Sequence, residues 1–230
     1  MKKTEINYLI DYLDYLYPNP RCELNYNKDY ELLIATMLSA QTTDKRVNSV
    51  TSVLFKVYPT LEDLSKADVY DIEKIIKPIG TYARKAIYTK KIAISLLENC
   101  GGIVPNNREY LESLAGVGRK TTNVVLSNIY NVPCVAVDTH VERVSKRLKL
   151  ANINDDVFTV EKKLNKLFPV NKLVRLHQQL VLFGRYHCKA IKPECTNCKL
   201  KEFCIEHKKK NWDFSILFYF TTTVCSKVSV

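Results

Sequence analysis

Residues Leu114 to Thr121 read Leu-Ala-Gly-Val-Gly-Arg-Lys-Thr. Two of the chain's six glycines, Gly116 and Gly118, flank a single valine here, and apolar-periodic sequence continues on both sides. Glycine reaches positive φ without a Cβ clash, so the pattern predicts a tight turn between two helices. A turn that ends at Gly118 leaves the first N–H groups of the next helix unpaired. With the helix dipole, those groups make an anion site suited to a phosphate. Lys120 falls in the first turn of that helix, facing the positive end of the dipole. An amine there, beside a bound phosphate, is a candidate nucleophile aimed at a sugar. A plain helix corner with a solvated lysine has the same local signature, so the rest of the chain has to decide.

Working outward, helical periodicity dominates. Ile6, Leu9, Ile10, Leu13, Leu16 and Tyr17 fall on one helical face, which Pro18 and Pro20 end. Further helices are predicted over Leu32–Ala40, Val47–Leu54, Leu61–Leu64, Val69–Ile76, Ala83–Leu97, Tyr110–Leu114 and Lys120–Tyr130. Val141–Leu148, Val160–Leu167 and Leu173–Phe183 follow. No run of alternating strands and no internal repeat interrupts this pattern, so the expected fold is all-α. The stretch Trp212–Val230, rich in aromatic and β-branched residues, reads as a strand-like extension or a tail with no assigned role.

The 230 residues suit one large domain or two small lobes, and 46% hydrophobic content can build a core. Lys plus Arg is 35 against 24 Asp plus Glu, a formal net charge of +11. That surplus points to a polyanionic partner, although a lysine- and asparagine-rich composition produces the same excess. The start, Met-Lys-Lys-Thr-Glu-Ile, runs straight into an amphipathic helix and has no secretory signal. No apolar run approaches a membrane span. The expected setting is cytoplasmic, nucleoid-associated if bacterial, where cysteines serve as thiols or metal ligands.

Four of the eight cysteines cluster as Cys188, Cys195, Cys198 and Cys204, a C-x6-C-x2-C-x5-C spacing. Four thiolates on so short a segment can converge on one metal centre. A [4Fe–4S] cluster takes four cysteine thiolates. Zinc usually takes two close Cys or His pairs, and only one such pair exists here, though His187 and His207 are alternative ligands. Both metals stay open on spacing alone. Cys22, Cys100, Cys134 and Cys225 are isolated and read as packing residues.

Val137-Asp138-Thr139-His140 leads into a helical face. Asp138 stands where an N-cap stands, with Thr139-x-x-Glu142 an alternative capping box. A carboxylate held rigidly by capping can also stabilise a cationic sugar intermediate or help activate an amine.

Taken in order, Leu38-Ser39-Ala40-Gln41-Thr42-Thr43-Asp44, Leu114–Thr121, Val137–His140 and the four-cysteine motif resemble the endonuclease III family of helix-hairpin-helix DNA glycosylases. The resemblance runs from about Leu9 to Cys204. It implies a two-lobed, all-α fold: a six-helix barrel over 23–134, with the hairpin at about 108–127, and a cluster-containing lobe from 1–22 plus 135–211. It leaves 212–230 without a counterpart. It implies a bifunctional enzyme that removes oxidised pyrimidines and cuts abasic sites by β-elimination. Lys120 matches the family's Schiff-base lysine and Asp138 its catalytic aspartate. Gly116 and Gly118, with Arg119, match the phosphate-holding hairpin, and Gln41 a residue that enters the space left by an extruded base. His140, Lys189 and Lys192 join them as expected DNA contacts. The four cysteines match the ligands of a [4Fe–4S] cluster. The implied partner is double-stranded DNA carrying a damaged pyrimidine or an abasic site, and the implied state is a monomer.

Three positions depart from the family pattern. Thr81 stands where a leucine wedge is common, and threonine is a poorer wedge. Ala115 replaces a common proline in the hairpin. Glu194 lies in the cluster loop among residues expected to face phosphates. Two other readings use the same residues: an adenine- or mismatch-specific relative, which generally lacks a lysine at position 120, and a non-catalytic or eroded iron–sulfur DNA-binding protein of the same fold.

Overall fold

A computed structural model describes residues 2–207; the expectations for Trp212–Val230 and for Cys225 lie outside the described residues. Helices joined by turns and irregular segments make up the described residues, with no strand among them. The helices are α1 (Lys3–Leu16), α2 (Asp29–Leu38), α3 (Asp44–Val57), α4 (Leu61–Lys66), α5 (Val69–Ile76) and α6 (Tyr82–Cys100). They continue with α7 (Arg108–Ser113), α8 (Arg119–Tyr130), α9 (Thr139–Arg147), α10 (Val157–Leu167) and α11 (Leu173–Leu182). The chain divides into two compact units: one spans Arg21–Ala136, and the other joins residues up to Pro20 with those from Val137 on.

The first unit holds α2 to α8. Short polar side chains set several of its helix starts. Thr60 and Asp63 form a capping box at α4, Asp68 accepts from the Tyr70 N–H at α5, and Asn107 accepts from the Tyr110 N–H at α7. α6 turns Ala86, Thr89, Ile92, Ala93 and Leu96 inward at steps of three and four. Burying a side chain such as Leu96 or Ile92 stabilises by about 1.5–3 kcal/mol. Gly101, at φ +57, ends α6 in the left-handed conformation.

α2 is different: every residue from Tyr30 to Leu38 is buried. A helix apolar on all sides belongs at the centre of a core. It begins three residues before the apolar run, because Asp29 and Glu31 sit favourably in its first turn. It stops at Leu38 rather than at Ala40, where the backbone carbonyls turn to a buried side chain, Lys85.

The second unit holds α1, α9, α10 and α11. α1 buries Ile6, Leu9, Ile10, Tyr12 and Leu13 on one face. Asp14 ties it to α11, accepting from Arg175 Nε at 2.5 Å and Gln179 Nε2 at 2.8 Å, with Lys172 Nζ 3.6 Å away. Burial pushes the Asp14 carboxyl up, but these hydrogen bonds and charges outweigh it and hold it below the usual carboxylate range. Burial also pushes the Tyr17 hydroxyl up to about 12. The apolar run expected to be one helix through Phe183 ends instead in a π-turn over Phe183–His187. Such turns insert one residue into the helical ladder and are frequent at functional sites. This one leads directly to Cys188.

Candidate active site

The Arg21–Ala136 unit contains the glycine turn. α7 and α8 flank it as predicted, and Leu114 and Val117 pin it to the core, being 6% and 5% exposed. Gly116 has φ +76, and a Cβ there would stand 2.3 Å from Tyr88 Cδ2. The turn therefore needs glycine twice over, for its backbone and for its approach to an aromatic ring. Gly118 is another case. Its φ of −109 suits any residue, and a Cβ there would meet nothing within 4 Å. The fold does not require glycine at this position, and open space lies over it.

Gly118 is the N-cap of α8, and no side chain caps the helix. Arg119 and Lys120, both exposed, are its first two residues. An open set of helix N–H groups flanked by two cations is an anion site by geometry and by field. Asn123, one turn on and fully buried, accepts from Arg108 Nη2 at 2.7 Å and donates to Val135 O at 3.0 Å. That bridge fixes α7 against α8 and anchors the chain leaving the hairpin. Sequence reasoning missed both residues; the buried face of α8 mixes Thr122, Asn123 and Ser127 with Val125 and Leu126, so the asparagine does not stand out.

Gln41 follows α2 and is exposed, with φ +57. Thr81, the N-cap of α6, is also exposed and has φ +55. Left-handed backbone is unusual for any non-glycine residue and most unusual for a β-branched one.

In the other unit, Asp138 is the N-cap of α9, its Oδ1 accepting from the His140 and Val141 N–H groups at 2.9 and 2.8 Å. The alternative capping box is not formed: Thr139 is the first helical residue and Glu142 pairs with Lys146 at 2.6 Å. His140 is half-buried. Its Nδ1 lies 3.3 Å from Arg143 Nη2, and a Cβ added to Gly184 would meet its own Cβ at 2.8 Å.

Cys188, Cys195, Cys198 and Cys204 line one cavity of about 320 Å³, counting its open mouth, together with Phe183, His187 and His207. Burial pushes the Cys188 thiol up and the Cys198 thiol up to about 11. A bound metal would reverse that preference by favouring the thiolate. Two arginines on α9 surround Cys188. Arg147 Nη1 lies 3.5 Å from its Sγ and donates to Lys189 O at 2.7 Å, while Arg143 donates to Cys188 O and to Gly184 O. Neither was singled out from sequence; their spacing of four on an amphipathic helix was the only clue. His187 stacks on Phe183 with ring centroids 4.9 Å apart, and burial pushes its imidazole pKa down. Among the described residues, no group of three or more His, Cys, Asp or Glu side chains is arranged to hold a metal ion.

The loop between Cys188 and Cys195 carries Lys189 and Lys192. Lys192 is exposed with φ +50, and Lys189 is engaged by Glu194 at 2.8 Å. Among the described residues, no helix is long and apolar enough to cross a membrane.

Residues 34–170 match the model of the HhH-GPD superfamily base excision DNA repair proteins. Endonuclease III of Bacillus subtilis is 43% identical over 207 residues, 90% of this chain and 94% of that protein. Among solved structures, a non-covalent endonuclease III–DNA complex matches with a TM-score of 0.88 and 44% identity, covering 91% of this chain and 98% of that one. A trapped endonuclease III–DNA covalent intermediate matches with a TM-score of 0.87 and 44% identity, covering 91% and 99%. The chain belongs to the HhH-GPD superfamily of base excision DNA repair proteins, within its endonuclease III group.

Proposed function

We propose that this protein is a DNA glycosylase and abasic-site lyase that acts on oxidised pyrimidines in double-stranded DNA and works through Lys120. The observation that carries the reading is an exposed lysine at the second position of an uncapped helix, directly after a left-handed glycine turn. The likeness to a trapped covalent protein–DNA intermediate supports it.

The hairpin N–H groups and Arg119 hold a backbone phosphate. A damaged base cannot be reached inside the stack, so its nucleotide is displaced from the helix, and damage lowers the cost of unpairing. The Lys120 Nζ lone pair forms a bond to C1′ as the N-glycosidic bond breaks and the base departs with the bonding electrons. Asp138, rigid on its two N–H bonds, offsets the positive charge that develops on the sugar. Ring opening gives an iminium between Lys120 and C1′. That iminium acidifies the C2′ proton; its loss expels the 3′ phosphate and cuts the strand. Gln41, His140, Lys189 and Lys192 are the further DNA contacts in this reading.

Cys188, Cys195, Cys198 and Cys204 are the residues that would hold a [4Fe–4S] cluster. Four thiols line one cavity and match in number and kind the four thiolates such a cluster takes, and the Arg143 and Arg147 bonds to Cys188 and Lys189 would balance its thiolate charge. When bound, the cluster supplies structural cross-linking of the Cys188–Cys204 segment. Iron and acid-labile sulfide in equal amounts are expected in the purified chain; zinc without sulfide would reject the assignment. The expected setting is the cytoplasm.

The decisive experiment is borohydride trapping on a duplex with one oxidised pyrimidine. The parent chain should yield a covalent adduct, and Lys120→Ala should yield none. An adduct that survives in the mutant assigns the nucleophile elsewhere, and base release without any adduct reduces the enzyme to a glycosylase alone.

A further inference from the structure

α2 is buried on all sides, so its last carbonyls have no water to turn to. Lys85, on α6, takes them. Its Nζ donates to Leu38 O at 2.8 Å and to Ala40 O at 2.7 Å, with Thr42 Oγ1 3.4 Å away. Lys85 is only 4% exposed, and among the described residues no carboxylate pairs with it. A buried ammonium without a counter-ion is costly to desolvate, and burial pushes its pKa down. The end of a core helix can be closed far more cheaply, by a glycine cap.

Two strained positions lie next to this clasp. Gln41, one residue beyond the carbonyl held by Lys85, is exposed at φ +57. Thr81, one turn before Lys85 on α6, is exposed at φ +55, and its carbonyl accepts from the Lys85 backbone N–H at 3.1 Å. The Lys85 ammonium thus secures the Gln41 turn, while the Thr81 turn is closed by the first backbone bond of α6, which any residue but proline would supply at position 85. Backbone strain of this kind persists only where the surroundings over-determine it, and it gathers at functional sites. Of the two, the Thr81 hydroxyl bonds back to Gly80 O at 2.7 Å, while Gln41 is exposed in a conformation a glutamine seldom takes.

We propose that Lys85 is a positioning residue for nucleotide extrusion: its ammonium locks the Gln41 turn so that the Gln41 side chain meets the DNA duplex in a fixed arrangement. The proposal rests on the reading of this chain as a DNA glycosylase. Displacing a nucleotide leaves a gap in the stack, and a group already fixed in place fills it at lower entropic cost than a mobile one. Lys85, being buried, touches no DNA and acts through the turn its ammonium holds.

The test is a double-mutant cycle on the full chain with its metal centre loaded. Single-turnover base release is measured for the parent, Lys85→Met, Gln41→Ala and the double variant. Each is run on an oxidised pyrimidine that is fully paired and on the same lesion opposite an abasic position, where no pairing must be broken. Lys85→Met is expected to slow release from the paired duplex by about tenfold or more. The loss should shrink to about threefold or less on the unpaired lesion, and nearly vanish in the Gln41→Ala background. Equal losses on both substrates, or effects that multiply, overturn the proposal and leave Lys85 a structural residue. Should Lys85→Met fail to fold, Lys85→Gln keeps an N–H donor for the carbonyls and carries the same cycle. A parent that releases no base sinks the enzyme reading and the proposal together; an active parent with multiplying effects sinks the proposal alone.

Discussion

The glycine hairpin and the Gln41 turn belong to the same unit, and both present exposed residues at a helix junction, yet they are held in opposite ways. The hairpin is held by what is close in sequence. Gly116 supplies the left-handed backbone, Leu114 and Val117 point inward, and the ring of Tyr88 closes over Gly116 from α6. The Gln41 turn has no glycine. It takes a left-handed backbone at glutamine and depends on an ammonium 45 residues from Ala40. The hairpin is a local code that can be read from eight residues. The other turn is imposed by tertiary structure, which overrides local preference.

The largest effect should come from attacking the hairpin's local code. Gly116→Ala places a Cβ against the Tyr88 ring in a backbone conformation that alanine avoids. Overpacking and left-handed strain together should cost about 2–4 kcal/mol. Urea melts of the metal-loaded protein measure this. Adding Tyr88→Ala should recover the packing share and leave the backbone share. If Gly116→Ala melts with the parent, the turn has a freedom that the Tyr88 contact denies, and the contrast between the two turns collapses.

This contrast explains how much of the molecule was legible in advance. α6, α8 and α9 follow apolar spacing, and Asp138 caps α9, so their extents could be read from the sequence to within a few residues. The hairpin, the exposed Lys120 and the Asp138 cap were equally local. What escaped reading was the set of polar groups that act over long separations. Lys85 looks like any helix lysine, Asn123 like one more polar residue beside Thr122, and Arg143 and Arg147 like solvated charges. Each acquires its meaning from a carbonyl or thiol that the fold brings to it. The π-turn at Phe183–His187 was hidden for a related reason, because apolar spacing does not report one inserted residue. The cysteine motif lay between these cases: its spacing singled out four candidate ligands but left the metal open.

A middle-sized effect tests whether long-range polar clasps carry stability elsewhere. Asp14 reaches Arg175 and Gln179, 161 and 165 residues away. Its carboxyl is held below the range it would have in the unfolded chain. A depressed folded pKa gives stability that is fully present above the unfolded value, near 3.9, and is lost as pH falls through the folded value. Asp14→Asn should therefore lower stability by about 1–2 kcal/mol at neutral pH and flatten the acid side of the stability profile. Thermal melts from pH 7 down to the acid limit of folding measure both. An unchanged profile would show that this clasp, unlike the one at Lys85, is an incidental surface pairing.

The smallest stability effect should come from the second hairpin glycine, and it separates fold from function within a single turn. Gly118 has an ordinary backbone conformation, and its Cβ would meet no atom of the protein. Gly118→Ala should leave stability within about 0.5 kcal/mol of the parent. DNA is where the change should register. A methyl group over the uncapped start of α8 intrudes where a phosphate must approach the N–H groups, and such contact distances leave little room. Weaker duplex binding across all sequences is expected, with a shallower salt dependence if the phosphate contact is lost outright. Binding titrations at two or more salt concentrations, set beside the melts, decide the matter. Loss of stability without loss of binding would make Gly118 a folding residue like Gly116. Loss of binding at full stability would show that two glycines two residues apart answer to different demands, one to the core and one to the nucleic acid.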